Sequence, residues 1–253
     1  MDLPEYSYPP SLFFAFILDV LLLRRRSFRE DAKACIARLH PPLQVLGKEN
    51  IPWHGPCVIT INHYHRPAFG AQWLAFAVAA SVPMEMHWVM TGEFTYPGKW
   101  YELLGSIGSR LLLKRISQIY GFTTMPPMPP RPKDVAARAA SVRAVLEYVR
   151  CAQDPVLGLA PEGHDTPRGL LTRPPAGVGR FGLLLARAGL KFIPAGAYEA
   201  DGIFYLHFGQ PYELDIERRL PADEKDEGAA QIIMKQIARL LPLHLRGVFI
   251  EET

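Results

Sequence analysis

Two histidines stand one residue apart in the segment INHYHRPAFG, residues 61–70, directly after an apolar run. A neutral imidazole can take a proton from a hydroxyl group near neutral pH, so His63 is a candidate general base. A second polar turn, PEGHD at 161–165, also follows an apolar run and supplies the carboxylates of Glu162 and Asp165. A carboxylate on the other ring nitrogen would fix the tautomer of the imidazole and stabilise its protonated form.

The same two turns could instead hold a metal ion, because His-x-His pairs ligate zinc. The ligands would be His63, His65, His164 and Asp165. No HExxH motif, second His-x-His pair or carboxylate-rich turn accompanies them. The polar groups could also be ordinary turn residues that cap a following helix. If the strand continues past His63, His65 lies on the opposite face of the sheet, since side chains alternate along a strand.

The elements around these turns predict an α/β fold with a largely parallel central sheet flanked by helices. Ligands of such sheets bind beyond the carboxyl ends of the strands, which is where both polar turns stand. Strands are predicted in the runs that begin at Leu43 and Pro155 and at 56–61, 86–90, 191–198 and 203–209. Helices are predicted at 28–39, 67–80, 133–152, 177–189 and 226–241, the second of them beginning at Pro67.

Residues 12–23, LFFAFILDVLLL, are apolar except for Asp19. A helix of this length would be about 18 Å long, short of the roughly 30 Å hydrocarbon core of a bilayer. Arg24, Arg25 and Arg26 follow the run, whereas a signal peptide carries its positive charge before the apolar stretch. We therefore expect a helix in one leaflet, with the three arginines at anionic headgroups. A buried core helix, or a helix that covers a partner subunit, is the alternative.

Length and composition set the remaining expectations. The 253 residues suit membrane-associating helices at 1–40 followed by one α/β domain at 41–253. With 49% hydrophobic and 21% charged residues the chain is globular, and a net charge of +3 is too weak to indicate a nucleic-acid partner. The three cysteines form no CxxC motif, which favours a reducing location. Residues 12–26 are thus expected to contact membrane lipids, with the protein peripheral on the cytoplasmic face.

Four segments together resemble a known family. The segment VLGKENIPWHGPCVITINHYHRPAFG, 45–70, resembles the first sequence block of the glycerol-phosphate and lysophosphatidate acyltransferases. YGFTT (120–124) occupies the place of the second block, LAPEGHD (159–165) resembles the third, and FIPAGAY (192–198) resembles the fourth. Order and spacing hold from about residue 44 to 215. The resemblance implies a glycerol-phosphate-acyltransferase-like α/β sandwich with an N-terminal membrane-contacting helix.

The resemblance also implies a reaction. His63 would deprotonate an acceptor hydroxyl, which attacks the thioester of acyl-CoA or acyl-carrier protein, with no metal or other cofactor. Asn62, Glu162 and Gly163 match their blocks. Arginine guanidinium groups suit phosphate, so basic residues near the turns are candidate anion contacts. The candidates for contact with substrates are Asn62, His65, Arg66, Glu162, Gly163, His164, Arg168, Arg173 and Arg180.

Three departures from the family pattern bear on the substrate. The aspartate that follows the family's histidine by five residues is Ala68 here, and the arginines of the second and third blocks are Pro127 and Asp165. We expect Asp165 to replace the missing aspartate as the partner of His63, and the acceptor to be a neutral or differently charged hydroxyl, or an amine. The alternatives are a relative that binds acyl chains or lipids without chemistry, and a metal-dependent hydrolase.

Overall fold

A computed structural model describes residues 3–96, 98–128, 130–217 and 219–250. The expected α/β architecture is confirmed, because helices flank a mostly parallel sheet of seven strands. The strands are β1 (Gln44–Leu46), β2 (Cys57–Ile61), β3 (His87–Thr91), β4 (Thr123–Met125), β5 (Val156–Leu159), β6 (Lys191–Ala200) and β7 (Ile203–Phe208). Their order across the sheet is β1-β7-β6-β2-β5-β3-β4.

One strand pair departs from the parallel arrangement. β6 and β7 are antiparallel, because only Asp201 and Gly202 connect them and a parallel pair needs a much longer crossover. β1 then lies parallel to β7. The central strands β2 and β5 pair in parallel, so the turns that follow them emerge side by side at one edge of the sheet.

The helices are α1 (Pro10–Leu22), α2 (Phe28–Ile36), α3 (Gln72–Ser81), α4 (Glu102–Tyr120), α5 (Val135–Cys151), α6 (Val178–Arg187) and α7 (Ala222–Ala238). The prediction that a helix begins at Pro67 is wrong, since α3 begins five residues later. Ala68 has a φ of 66°, in the left-handed region, which a right-handed helix does not allow. Residues 62–71 therefore form a long turn after β2.

The core lies between the sheet and its helices. Val58, Ile59, Val156 and Leu157 at the centre of β2 and β5 are fully buried, and each such side chain stabilises the fold by about 1.5–3 kcal/mol. Gly158 lets the indole ring of Trp88 pack onto β5, because a Cβ at this position would lie 2.5 Å from that ring. This packing supports β5 close to its carboxyl end, where the turn that carries Asp165 begins.

The N-terminal apolar run is helical, as α1. Arg26 forms ion pairs with Asp19 and, at 2.6 Å, with Asp31. The expectation that all three arginines face headgroups is therefore wrong for Arg26, because its guanidinium neutralises two carboxylates within the fold. Arg24 and Arg25 are exposed. No helix in the described part of the chain is long and apolar enough to cross a membrane.

Candidate active site

The two polar turns meet at the carboxyl edge of the sheet. His63 follows β2 and Asp165 follows β5, and Nδ1 of His63 lies 3.1 Å from Oδ1 of Asp165. The expected approach of the two side chains is thus present. Nδ1 is buried, and the contact is a close polar one that does not meet the geometry of a hydrogen bond.

His63 and Asp165 differ in their exposure to solvent, and their contact changes the pKa of Asp165. The His63 side chain is 16% exposed and that of Asp165 is 54% exposed. Contact with the His63 imidazole lowers the pKa of Asp165, against the opposing effect of its partial burial. The carboxylate therefore remains ionised near neutral pH, and a carboxylate at this position favours the tautomer of an imidazole with its proton on Nδ1. Nε2 is then the ring nitrogen with a free lone pair.

Asp165 also interacts with a second imidazole. Nδ1 of His65 lies 3.6 Å from Oδ2 of Asp165. The condition for His65 to lie on the opposite face from His63 is not met, because β2 ends at Ile61 and the alternation of side chains ends with it. His164 is exposed, and its Nδ1 lies 2.7 Å from the backbone oxygen of Glu162. The Asp165 carboxylate therefore lies close to the imidazole rings of both His63 and His65.

Glu162 is buried at the base of the site. Its Oε2 accepts the backbone N–H of His63 at 2.7 Å, and its Oε1 accepts the backbone N–H of Thr172 at 2.9 Å. Burial raises the pKa of Glu162, while these hydrogen bonds oppose the shift. Both oxygens are already engaged, so Glu162 positions the His63 backbone, and the substrate contact that the sequence suggested for it is not supported.

Asn62 has a similar positioning role. It is fully buried, its Nδ2 donates to the backbone oxygen of Ala197, and its Oδ1 accepts the N–H of Ala197. These hydrogen bonds, at 2.9 and 2.7 Å, fasten the end of β2 to β6. The side chain has no exposed surface for a substrate, so the substrate-binding assignment of Asn62 is corrected.

Arg66 is engaged within the protein. Its guanidinium pairs with Glu199, with one contact at 2.9 Å, and lies over the ring of Tyr6 at 5.7 Å. The hydroxyls of Tyr6 and Tyr64 donate to the same carboxylate at 2.7 and 3.1 Å. Arg66 therefore closes a network that fastens the long turn to the N-terminal segment, and the expected anion contact is not available.

Arg168 and Arg173, which follow the turn with Asp165, remain candidate contacts for an anionic group. Arg168 and Arg173 are exposed and form no ion pair with any residue that the structure describes. Arg180 lies 3.7 Å from Asp223. The N-terminus of α6 is no anion site, because the buried Asp226 accepts the backbone N–H groups of Gly177 and Arg180.

An apolar cavity of about 180 Å³ lies beside the turn that carries Asp165. Its wall reaches that turn at Gly163, whose φ of 69° is the left-handed conformation that glycine readily adopts. Most of the lining is aliphatic or aromatic. It includes Val89, Met90, Met125, Met128, Val142, Leu159, Phe181, Phe192 and Ile233. Such a wall suits a hydrocarbon chain.

The polar side chains in the cavity wall, Thr60, Thr91 and Arg138, were not found from the sequence. The hydroxyl of Thr60 is buried without a hydrogen bond to the described residues. Arg138 donates to the backbone oxygens of Pro126 and Pro127 at 3.2 and 3.1 Å. No motif marks them, because only the folded sheet brings β2, α5 and the segment after β4 to one cavity. Among the described residues, no group of three or more His, Cys, Asp or Glu is arranged to hold a metal ion.

No family model matches the chain, and no curated protein matches it by sequence. Among solved structures, it is similar to the crystal structure of the 1-acyl-sn-glycerophosphate (LPA) acyltransferase PlsC from Thermotoga maritima, with a TM-score of 0.51. The two chains share 13% sequence identity, and the match covers 90% of this chain and 89% of that one. At this identity the similarity establishes the fold: the chain has the α/β architecture of that acyltransferase structure over most of its length.

Proposed function

We propose that the protein is an acyltransferase that moves a fatty acyl group from an acyl thioester to a hydroxyl or amine of a lipid-type acceptor. The observation that carries the proposal is the contact between His63 and Asp165 next to an apolar cavity. An imidazole paired with a carboxylate is suited to accept a proton, and an apolar cavity is suited to hold an acyl chain. The fold similarity to an acyltransferase structure supports the same conclusion.

In the proposed mechanism, Nε2 of His63 takes the proton of the acceptor hydroxyl as the acceptor oxygen attacks the thioester carbonyl. Asp165 stabilises the imidazolium that forms. The tetrahedral intermediate then expels the thiolate, which takes the proton back from Nε2. The products are the acylated acceptor and the free thiol of coenzyme A or acyl-carrier protein. Each step balances without a metal ion or redox cofactor.

We propose a neutral or amine-bearing acceptor. A phosphomonoester close to Asp165 would meet a like charge, at a cost of at most about 4 kcal/mol for a separation of 4 Å near a protein surface. The cost is smaller here because Asp165 is half exposed. Arg66 cannot compensate, because Glu199 already neutralises it. Arg168 and Arg173 are candidate contacts for the anionic groups of a thioester donor.

A panel of reactions tests this proposal. The purified protein is supplied with acyl-CoA or acyl-carrier-protein thioesters and with glycerol 3-phosphate, lysophosphatidate, a monoacylglycerol or a long-chain amine as acceptor. Transfer to the neutral or amine acceptor is expected. Efficient acylation of either phosphate acceptor would contradict the acceptor assignment, and consumption of no thioester with any acceptor would contradict the acyltransferase.

Binding of acyl chains without chemistry is the second candidate, favoured by the absence of both family arginines at Pro127 and Asp165. A bound fatty acid that copurifies with the protein, together with no turnover in the panel, would favour this role. In either case we propose a peripheral protein of the cytoplasmic membrane face, held by residues 12–25, in which the exposed apolar side chains of α1 contact lipid.

A further inference from the structure

The helix α4 exposes a group of large apolar side chains in addition to those that it buries against the domain. Its side facing the domain holds the buried Ser109, Leu113, Ser117 and Ile119, whereas Leu103 and Leu104 are 72% and 71% exposed. Ile107, Leu111 and Leu112 are also exposed, and Trp100 just before the helix is 92% exposed. Exposed apolar patches of this extent mark a surface that is covered in use.

This face adjoins the exposed face of α1. The two helices pack together, and the guanidinium of Arg115 on α4 donates to the backbone oxygens of Val20 and Leu21 at the end of α1. We call the combined patch the α1–α4 surface. Its exposed apolar residues are Phe13, Phe14, Ile17, Leu18, Leu21, Leu22, Leu23, Trp100, Leu103, Leu104, Ile107, Leu111 and Leu112.

Basic side chains gather at one end of the α1–α4 surface. The backbone N–H of Arg26 donates to Ile119, so the segment after α1 meets the last turn of α4. Arg24, Arg25 and Lys114 are exposed here and form no ion pair with the residues that the structure describes. The acidic residues of the two helices are Asp19, which Arg26 neutralises, and Glu102 at the opposite end of α4.

We infer that α4, together with its preceding Trp100, is the second half of a docking surface for an anionic lipid bilayer. An apolar face flanked by unpaired cations and an exposed tryptophan fits a hydrocarbon layer bordered by negative headgroups. A protein partner would have to supply a large apolar face and acidic groups at one end of it. The inference extends the proposed membrane contact beyond residues 12–25, and it rests on that proposed peripheral location.

The position of α4 explains what such docking would achieve. The segment between β3 and α4 runs from the cavity wall, and the backbone N–H of Gly92 donates to Met125, which lines the cavity. Phe94 follows, with its backbone N–H bonded to the hydroxyl of Ser109 on α4. Docking through α4 would therefore bring the lipid to the helix whose preceding segment begins at the cavity wall.

A vesicle-binding experiment with the full chain tests the inference. The double variant Leu103→Glu/Leu104→Glu is compared with Val135→Glu/Leu243→Glu, whose residues are equally exposed elsewhere, at 67% and 66%. The vesicles contain phosphatidylcholine with or without phosphatidylglycerol. Each leucine buried in lipid contributes about a tenfold factor in affinity. We expect the α4 variant to bind at least tenfold more weakly to the anionic vesicles and the control pair to bind like wild type.

Three results would overturn the inference. The first is wild-type affinity of the α4 variant for anionic vesicles. The second is an equal loss in the control pair. The third is a lipid-free wild-type dimer that becomes monomeric in the α4 variant while vesicle binding is unchanged. If the double variant fails to fold, as judged by circular dichroism, Trp100→Gln replaces it, because that side chain contributes almost nothing to the core.

Acyl transfer from a short-chain thioester without vesicles separates this inference from the proposed function. The α4 variant is expected to keep the wild-type rate in that assay, since the residues changed lie outside the site. A wild-type protein that binds vesicles through α4 but transfers no acyl group would support the α1–α4 surface and contradict the proposed function.

Discussion

At the scale of single residues, the site depends on a carboxylate supplied by the facing turn. Asp165 contacts both His63 and His65, while Ala68 stands where the acyltransferase family that the sequence resembles has an aspartate. The pairing of Asp165 with His63 could be predicted because two polar turns at the ends of parallel strands meet. The positioning roles of Asn62 and Glu162 could not, because they depend on partners 135 and 99 positions away.

Replacement of Asp165 by asparagine tests its role as partner of the base. An amide carries no charge to stabilise the imidazolium and can donate to Nδ1, which favours the wrong tautomer. We expect turnover to fall on the order of 10²- to 10⁴-fold, with little change in melting temperature because exposed ion pairs contribute at most about 1 kcal/mol. Asp154→Asn, before β5, is the matched control.

The same background allows a rescue experiment. Ala68 has a left-handed backbone conformation, which aspartate tolerates better than most residues. If Asp165 substitutes for the family aspartate, Ala68→Asp combined with Asp165→Asn should recover part of the lost turnover. Full activity of Asp165→Asn alone would show that His63 needs no carboxylate from this turn.

At the scale of elements, the buried strands and the amphipathic helices could be predicted, because their periodicity matches the burial that the fold provides. α4 could not, since its apolar side chains are divided between a buried and an exposed side and define no single face, and β4 is only three residues long. The helix start at Pro67 was wrong because tertiary hydrogen bonds hold the turn after β2. The antiparallel pairing of β6 with β7 follows from the short connection at 201–202.

Within the sheet, His87 on β3 gives a pH-dependent contribution to stability. Burial lowers its pKa from 6.5 to about 4, while its ring stacks on Tyr148 and its Nε2 lies 2.8 Å from the hydroxyl of Thr123. As the pH falls from 6.5 to 4, His87 binds a proton in the unfolded chain but stays neutral in the folded protein. The folded state should therefore lose up to about 3 kcal/mol in this window and nothing above it.

Urea unfolding at several pH values measures this effect. His87→Gln removes the titrating group, so the difference between wild type and variant isolates the contribution of His87 from the carboxylates that titrate in the same range. We expect the variant to show a smaller decrease between pH 6.5 and 4. If the free energies of unfolding of the two proteins depended on pH in parallel, burial would not lower the pKa of His87, which contradicts the prediction.

At the scale of the whole molecule, the fold and the cavity are compatible with the function that we propose, acyl transfer by a membrane-associated α/β protein. Metal dependence is the property that separates this assignment from a hydrolase using the same histidines. Dialysis against a chelator should leave the melting temperature and the acyl-transfer rate unchanged. Stoichiometric zinc in the purified protein, lost together with activity and restored with it, would favour the metal-dependent hydrolase.

The central claim is that His63 is the base, and the rate of thioester-dependent acyl transfer by His63→Ala tests it most directly. The matched control is His65→Ala, which removes an imidazole from the same carboxylate at 3.6 Å. The backbone N–H that Glu162 accepts is kept in His63→Ala, so the fold should persist. The account predicts a 10²- to 10⁴-fold loss for His63→Ala and a much smaller one for His65→Ala. Undiminished turnover by a folded His63→Ala protein would contradict it.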